Sequence, residues 1–269
     1  MTNDPSTSPI GVFDSGIGGL TVVREIVKLL PHENLIYLGD TARVPYGTKS
    51  SKTVITYSQS NASFLLSKGI KLLVVACNTA SAVALPSLRW DLRIPIIGVT
   101  EPGARRAVRA TKTGRVGVIG TPSTVKSNAY KKAMENIAPE VSVYSKACPL
   151  FVPLAEEGWT DGEIAELAAR RYLEGFKESG IDVLILGCTH YPLLKKTIQK
   201  VVGENITLVD SAEETALEIK RVLEEDGTAN RGPGMAKREF YLTDVSETFV
   251  SIAGRFLGED IGEVQQVDL

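Results

Sequence analysis

Cys77 and Cys188 stand far apart in the chain but in matching contexts. The first follows the apolar run Leu72-Leu73-Val74-Val75-Ala76 and precedes Asn78-Thr79. The second follows Val183-Leu184-Ile185-Leu186-Gly187 and precedes Thr189-His190. A continuous apolar run is expected of a strand buried on both faces of a parallel sheet. Hydroxyl and amide residues suit a helix start. Each thiol is therefore expected where a strand hands over to a helix, the place where open α/β sheets bind ligands. A free thiol has a pKa of about 8.5, and a helix N-terminus favours its thiolate. One such cysteine reads as a small buried apolar residue. Two in the same context, facing each other, suit proton removal on one face of a carbon and proton return on the other.

Other residues gather around these thiols in the sequence pattern. Asp14 ends the strand Pro9–Phe13 and opens Asp14-Ser15-Gly16-Ile17-Gly18-Gly19. The dinucleotide fingerprint is not met there, because Thr21 holds its last required position. The loop reads as a tight turn or an anion cradle, and Asp14 favours an amine or a proton-steering role over a phosphate. His190 neighbours Cys188 and could hold or tune its proton. Ser15, Asn78, Thr79, Thr121 and Thr189 are neutral hydrogen-bonders suited to a small zwitterion. Pro45, Tyr46 and Gly47 either shape a turn or bind a carboxylate through backbone N–H groups and the Tyr hydroxyl. Cys148 lacks the polar follow-on of the other two and reads as a structural buried thiol. Glu156 and Glu157 read as the solvated flank of a loop over 151–158, with a pocket rim or a subunit contact as the alternative.

Composition narrows the class. The 269 residues are 43% hydrophobic and 23% charged, which is ordinary for a globular protein with a sizeable core. A net charge of −2 gives no basic field for nucleic acid and no attraction to an anionic membrane. Met1–Pro9 lacks the basic start and apolar stretch of a signal peptide, and no apolar run has membrane-spanning length, so the expected location is the cytoplasm. Three cysteines do not suggest a disulfide framework. Two histidines and no paired Cys-x-x-Cys or His-x-x-x-His spacing argue against a zinc site. No nucleotide loop is present and no lysine is singled out for a pyridoxal Schiff base, so no cofactor and no metal is expected.

The elements that must position these residues alternate. Strands are expected at Leu35–Leu38, Lys71–Ala76, Ile94–Val99, Val116–Gly120, Val141–Ala147, Ile181–Gly187, Thr207–Asp210 and Glu239–Thr243, with a last short one at Val264–Val267. Helices fill the intervals, including Ser50–Lys68, Thr79–Arg89, Thr121–Asn136, Asp161–Ser179 and Ser211–Glu225. Thr100-Glu101-Pro102-Gly103 reads as a crossing between domains. The expected fold is α/β, with two pseudo-symmetric lobes, each a mainly parallel sheet flanked by helices, and the site in the cleft between them. Residues 1–99 plus 210–269 form the first lobe, with Cys77, and residues 100–209 the second, with Cys188.

The segments Asp14-Ser15-Gly16-Ile17-Gly18-Gly19-Leu20, Pro45-Tyr46-Gly47, Cys77-Asn78-Thr79, Ala147-Cys148-Pro149-Leu150 and Gly187-Cys188-Thr189-His190-Tyr191-Pro192 together resemble the glutamate racemases. The resemblance covers nearly the whole chain. It implies cofactor-independent interconversion of L- and D-glutamate, supplying D-glutamate for peptidoglycan. It implies that Cys77 acts on D-glutamate and Cys188 on L-glutamate, with Asp14 and His190 assisting. It further implies that Ser15, Asn78, Thr79 and Thr189 hold the amino and α-carboxylate groups, that Tyr46 with Gly47 holds the side-chain carboxylate, and that the protein is a homodimer. The competing expectations are a racemase for aspartate or another acidic amino acid, a hydrolase or isomerase using a single thiol, and a two-lobed binding protein without catalysis.

Overall fold

The computed structural model describes residues 4–232 and 234–269. Residues 1–3 of the polar N-terminal stretch, and Pro233 in a segment read from sequence as loop, lie outside the described residues. Among the described residues there are ten strands: β1 (Ile10–Asp14), β2 (Leu35–Gly39), β3 (Leu72–Val75), β4 (Ile96–Gly98), β5 (Arg115–Gly120), β6 (Ser142–Ala147), β7 (Val183–Gly187), β8 (Thr207–Asp210), β9 (Arg238–Leu242) and β10 (Val264–Gln266). They form two sheets, in the orders β10-β9-β2-β1-β3-β4 and β6-β5-β7-β8, and every pairing is parallel.

The first four strands and the next four repeat one topology. In each set the first strand lies between the second and the third, with the fourth beyond the third. The chain leaves the first strand to one side and returns on the other, which opens a crevice at the carboxyl ends of the first and third strands. Asp14 ends β1 and Cys77 follows β3; Thr121 follows β5 and Cys188 follows β7. The same crevice is thus built twice, once per sheet.

The central strands are apolar because both of their faces are covered. Every residue of β1, β3 and β7 is buried. The edge strand β6 is mostly exposed or half-buried, and it is correspondingly polar. Helices pack on both faces of the sheets. The helix Thr100–Ala110 buries Ala104 and Ala107 in one apolar cluster with Val116 and Val118 of β5 and Val183 and Ile185 of β7. No helix among the described residues is long and apolar enough to cross a membrane.

Three local expectations change, and two further segments take a defined form. Thr100-Glu101-Pro102-Gly103 is the first turn of the helix that carries the chain from the first sheet to the second. Pro is tolerated there because first-turn N–H groups have no intrahelical partner. The same reason makes Phe151–Glu156 a helix rather than a loop, with Pro153 in its first turn. The helix expected over 121–136 is two, Pro122–Ser127 and Ala129–Glu135, broken at Asn128, whose φ of 55° is left-handed. The helix expected over 161–179 is also two, Gly162–Leu173 and Phe176–Ser179. Tyr191–Leu194 is a 3-10 turn that leads into the helix Lys195–Val202.

Candidate active site

Cys77 is itself the cap of the helix Asn78–Asp91: its sulfur accepts the Ala80 N–H at 3.5 Å. Sequence had assigned capping to the residues after it. The Cys77 thiol also donates to the Ser15 hydroxyl at 3.4 Å. Burial, reinforced by the nearby Asp14 charge, pushes this thiol up to about 12, against the opposing pull of Ser15 and the Ala80 amide. Cys77 therefore rests protonated. Asp14 is fully buried and accepts the Gly16 N–H through Oδ2 at 3.0 Å. Burial raises its pKa, while the His190 charge and the amides of Gly19, Gly16 and Ser15 oppose the rise.

Cys188 has a different partner. Its sulfur lies 3.8 Å from His190 Nδ1, and the other ring nitrogen, Nε2, lies 3.0 Å from Glu156 Oε1. Burial alone would push the imidazole pKa down. Cys188 and Glu156 outweigh it, and His190 is held up at about 10. The two ring nitrogens thus face the sulfur on one side and the carboxylate on the other, and the raised pKa favours the charged ring. Phe256 packs edge-on against it at 5.2 Å between ring centres.

The two thiols line one cavity of about 330 Å³. Around it stand Ser15, Pro45, Tyr46, Gly47, Asn78, Thr79, Thr121, Thr189 and His190, all anticipated from sequence. Asp14 is not part of the wall; it lies buried behind it. Cys148 is buried away from the cavity, and burial pushes its thiol up to about 12. A separate cavity of about 420 Å³ holds Arg89, Glu101 and Lys132 but no thiol, and its Arg89 and Glu101 pair with each other.

One anticipated group points elsewhere. The Tyr46 hydroxyl donates to Asp40 Oδ2 and accepts from Asn61 Nδ2, so it is committed away from any ligand. Arg43 closes on the same Asp40 carboxylate at 2.7 and 2.8 Å. What this loop can offer is its backbone, held in place by the buried Asp40. Glu156 takes the pocket-rim place that the sequence offers as the alternative to a solvated loop flank. Its signal was the spacing of Phe151, Leu154 and Ala155, which are the buried face of a one-and-a-half-turn helix; that helix carries Glu156 to the pocket rim.

The lobes meet closely at this cavity. A Cβ on Gly18 would come within 2.2 Å of Thr189 Oγ1 and 2.5 Å of His190 Nδ1, so only glycine allows the first-lobe loop to touch the second lobe there. Thr21 Oγ1 donates to the Thr189 carbonyl at 3.2 Å. Thr79 and Thr121 share a hydroxyl hydrogen bond of 2.9 Å across the seam. No Lys or Arg lines the cavity among the described residues, so an anionic group inside it must be met by hydroxyls, amides and the unpaired N–H groups at the start of the helix Asn78–Asp91.

A family model described as Asp/Glu/Hydantoin racemase matches residues 10–219. The chain belongs to this family. A glutamate racemase of Geobacter metallireducens is 57% identical over 260 residues, covering 97% of this chain and 96% of that one. The crystal structure of the Francisella tularensis glutamate racemase in complex with D-glutamate superposes with a TM-score of 0.92 at 39% identity, covering 98% of each chain. The Bacillus anthracis glutamate racemase isoform RacE1 gives a TM-score of 0.94 at 43% identity, again covering 98% of each chain. A Picrophilus torridus aspartate racemase, at 19% identity and a TM-score of 0.56, shares the fold.

Proposed function

We propose that this protein is a glutamate racemase that inverts Cα by two-thiol proton transfer without a cofactor. The observation that carries the reading is the convergence of Cys77 and Cys188, each following the third strand of its own sheet, on one cavity. The names of the similar proteins support glutamate as substrate.

In the L-to-D direction the two sulfurs take opposite roles. Cys188, beside His190, is the base that takes the Cα proton of L-glutamate. Cys77, resting protonated, gives its proton to the opposite face. One C–H bond breaks, one forms, and the proton inventory of the two sulfurs is exchanged. D-glutamate then meets a Cys77 thiolate and runs the steps in reverse. Asp14, behind Cys77, and the His190–Glu156 pair, beside Cys188, assist the two sulfurs. Ser15, Asn78, Thr79, Thr121 and Thr189 hold the amino and α-carboxylate groups. The backbone of Tyr46 and Gly47, beside Pro45, takes the side-chain carboxylate. In this reading the lobes divide near residues 99–100 and 210, the enzyme is a cytoplasmic homodimer, and its product feeds peptidoglycan synthesis.

The test is incubation with L-glutamate in deuterated water without pyridoxal phosphate. The expected result is D-glutamate labelled at Cα. No inversion, or a strict cofactor requirement, rejects the proposal. Aspartate is run in parallel, because one methylene gives only modest discrimination in a pocket; faster inversion of aspartate would reassign the substrate.

A further inference from the structure

Tyr130 sits in the helix Ala129–Glu135 of the second lobe, is buried, and does not line the cavity. Its hydroxyl donates to Asn78 Oδ1 at 2.6 Å, across the seam between the lobes. Asn78 is the first residue of the helix after Cys77 and does line the cavity. Its Nδ2 is buried without a hydrogen-bond partner. A side-chain amide has one acceptor oxygen and a two-proton donor nitrogen, and either can face a neighbour. A buried amide donor left unpaired is costly, so such a group is expected to have a use.

The ring of Tyr130 is fixed from another side. A Cβ on Gly187, the residue before Cys188, would come within 3.0 Å of Tyr130 Cε2. Gly187 thus lets the Tyr130 ring lie directly against the end of β7. Ser211 is a further polar neighbour of the phenol. Tyr130 is therefore anchored to the strand that delivers one thiol, and its hydroxyl reaches the residue that follows the other.

We infer that Tyr130 is a positioning residue: by donating to Asn78 Oδ1 it fixes the orientation of the Asn78 amide, so that Nδ2 is presented as a donor to the substrate's α-carboxylate. The inference rests on the racemase reading above. Without the phenol, the amide is free to turn its oxygen toward the substrate carboxylate, which replaces an attraction with a repulsion. The bond also joins the lobes, so substrate held by Asn78 is held in register with Cys188.

The experiment is a double-mutant cycle on the full chain with Y130F, N78A and the double variant, measuring KM and kcat for D-glutamate, with thermal unfolding to monitor the fold. Tyr130→Phe keeps the ring against Gly187 and removes only the hydroxyl. Its KM is expected to rise about tenfold with a smaller change in kcat, and in the N78A background it should change KM by less than about twofold. A wild-type KM for Y130F overturns the inference, and so does an equal KM penalty in both backgrounds. N78D provides a second arm should Y130F fail to fold. It keeps an acceptor for Tyr130 but offers no amide donor, so its KM is expected to rise, and a wild-type KM for N78D also overturns the inference. Wild-type protein that inverts no glutamate would reject the racemase reading itself, a result distinct from any of these.

Discussion

Glu156 Oε1 lies 3.0 Å from His190 Nε2, and the same imidazole faces Cys188 Sγ through Nδ1 at 3.8 Å. A carboxylate, an imidazole and a thiol are thereby in line, with the carboxylate near the rim and the thiol inside. Cys77 has no such chain. Its neighbours are the Ser15 hydroxyl and the buried Asp14. The two halves of the site repeat the same backbone plan but tune their sulfurs by different means.

Glu156→Gln should therefore weaken the Cys188 half alone. L- and D-glutamate have equal free energies in water, so kcat/KM must fall by the same factor in both directions, by about tenfold. The asymmetry will appear in isotope effects. With the Cys188 step made slower, the primary deuterium effect on kcat/KM should grow for 2-deuterated L-glutamate and shrink for 2-deuterated D-glutamate. Unchanged effects would remove Glu156 from the proton chain.

The three thiols should separate cleanly by substitution. Cys77→Ser and Cys188→Ser are each expected to lower racemisation by about a thousandfold or more, since the groups act as a unit. Cys148→Ser should stay within about twofold, because that sulfur lies outside the cavity. Circular dichroism of glutamate solutions measures all three. An active C188S protein would break the two-thiol mechanism.

His190 gives a pH dependence of stability with a definite sign. Its pKa is raised from 6.5 to about 10 in the folded state. Between those values the native protein keeps a proton that the unfolded chain has released, so this contribution to stability is complete below 6.5 and is lost as pH rises through about 10. Urea midpoints at about pH 6 and about pH 8.5 should fall for the wild type by more than for His190→Asn, which lacks the titrating group. Equal slopes in the two proteins would show that the imidazole is not held charged.

Much of this arrangement is legible in the sequence because the strands at the centre are buried on both faces. Val74-Val75 and Ile185-Leu186 have to be apolar, and the polar residues that follow them can only be at a sheet end. What escaped was carried by helices with proline in the first turn. Pro102 stands in a segment read as a crossing and Pro153 in one read as a loop, and each lies in a first turn, where no helical N–H bond is needed. With 151–158 read as a loop, Glu156 reads first as a solvated flank, and its partner lies 34 residues away in the chain. The Tyr46 hydroxyl was misread for a similar reason: Asp40, the group that takes it, is brought to it by a turn whose path the residue types do not dictate. Tyr130 carried no local signal at all, since its bond to Asn78 exists only across the lobes.

Gly18 is where the approach of the lobes can be tested most directly. The loop after β1 touches the second lobe at Thr189 and His190, and the space for a side chain is absent: an added Cβ would be 2.2 Å from Thr189 Oγ1, well inside any normal contact. Both neighbours belong to the residues that follow Cys188, and Thr21, in the helix Leu20–Leu29 that follows this loop, already bonds the Thr189 carbonyl. Relief requires the lobes to separate or His190 to leave its place between Cys188 and Glu156. A displacement of about 1 Å at reacting groups can cost about a hundredfold in rate. Gly18→Ala is thus expected to lose about a hundredfold in kcat/KM while its far-ultraviolet circular dichroism stays that of the wild type, because neither sheet is disturbed. An active Gly18→Ala enzyme would mean that the lobes can open by that amount without cost, and that the cavity is not held closed at this contact.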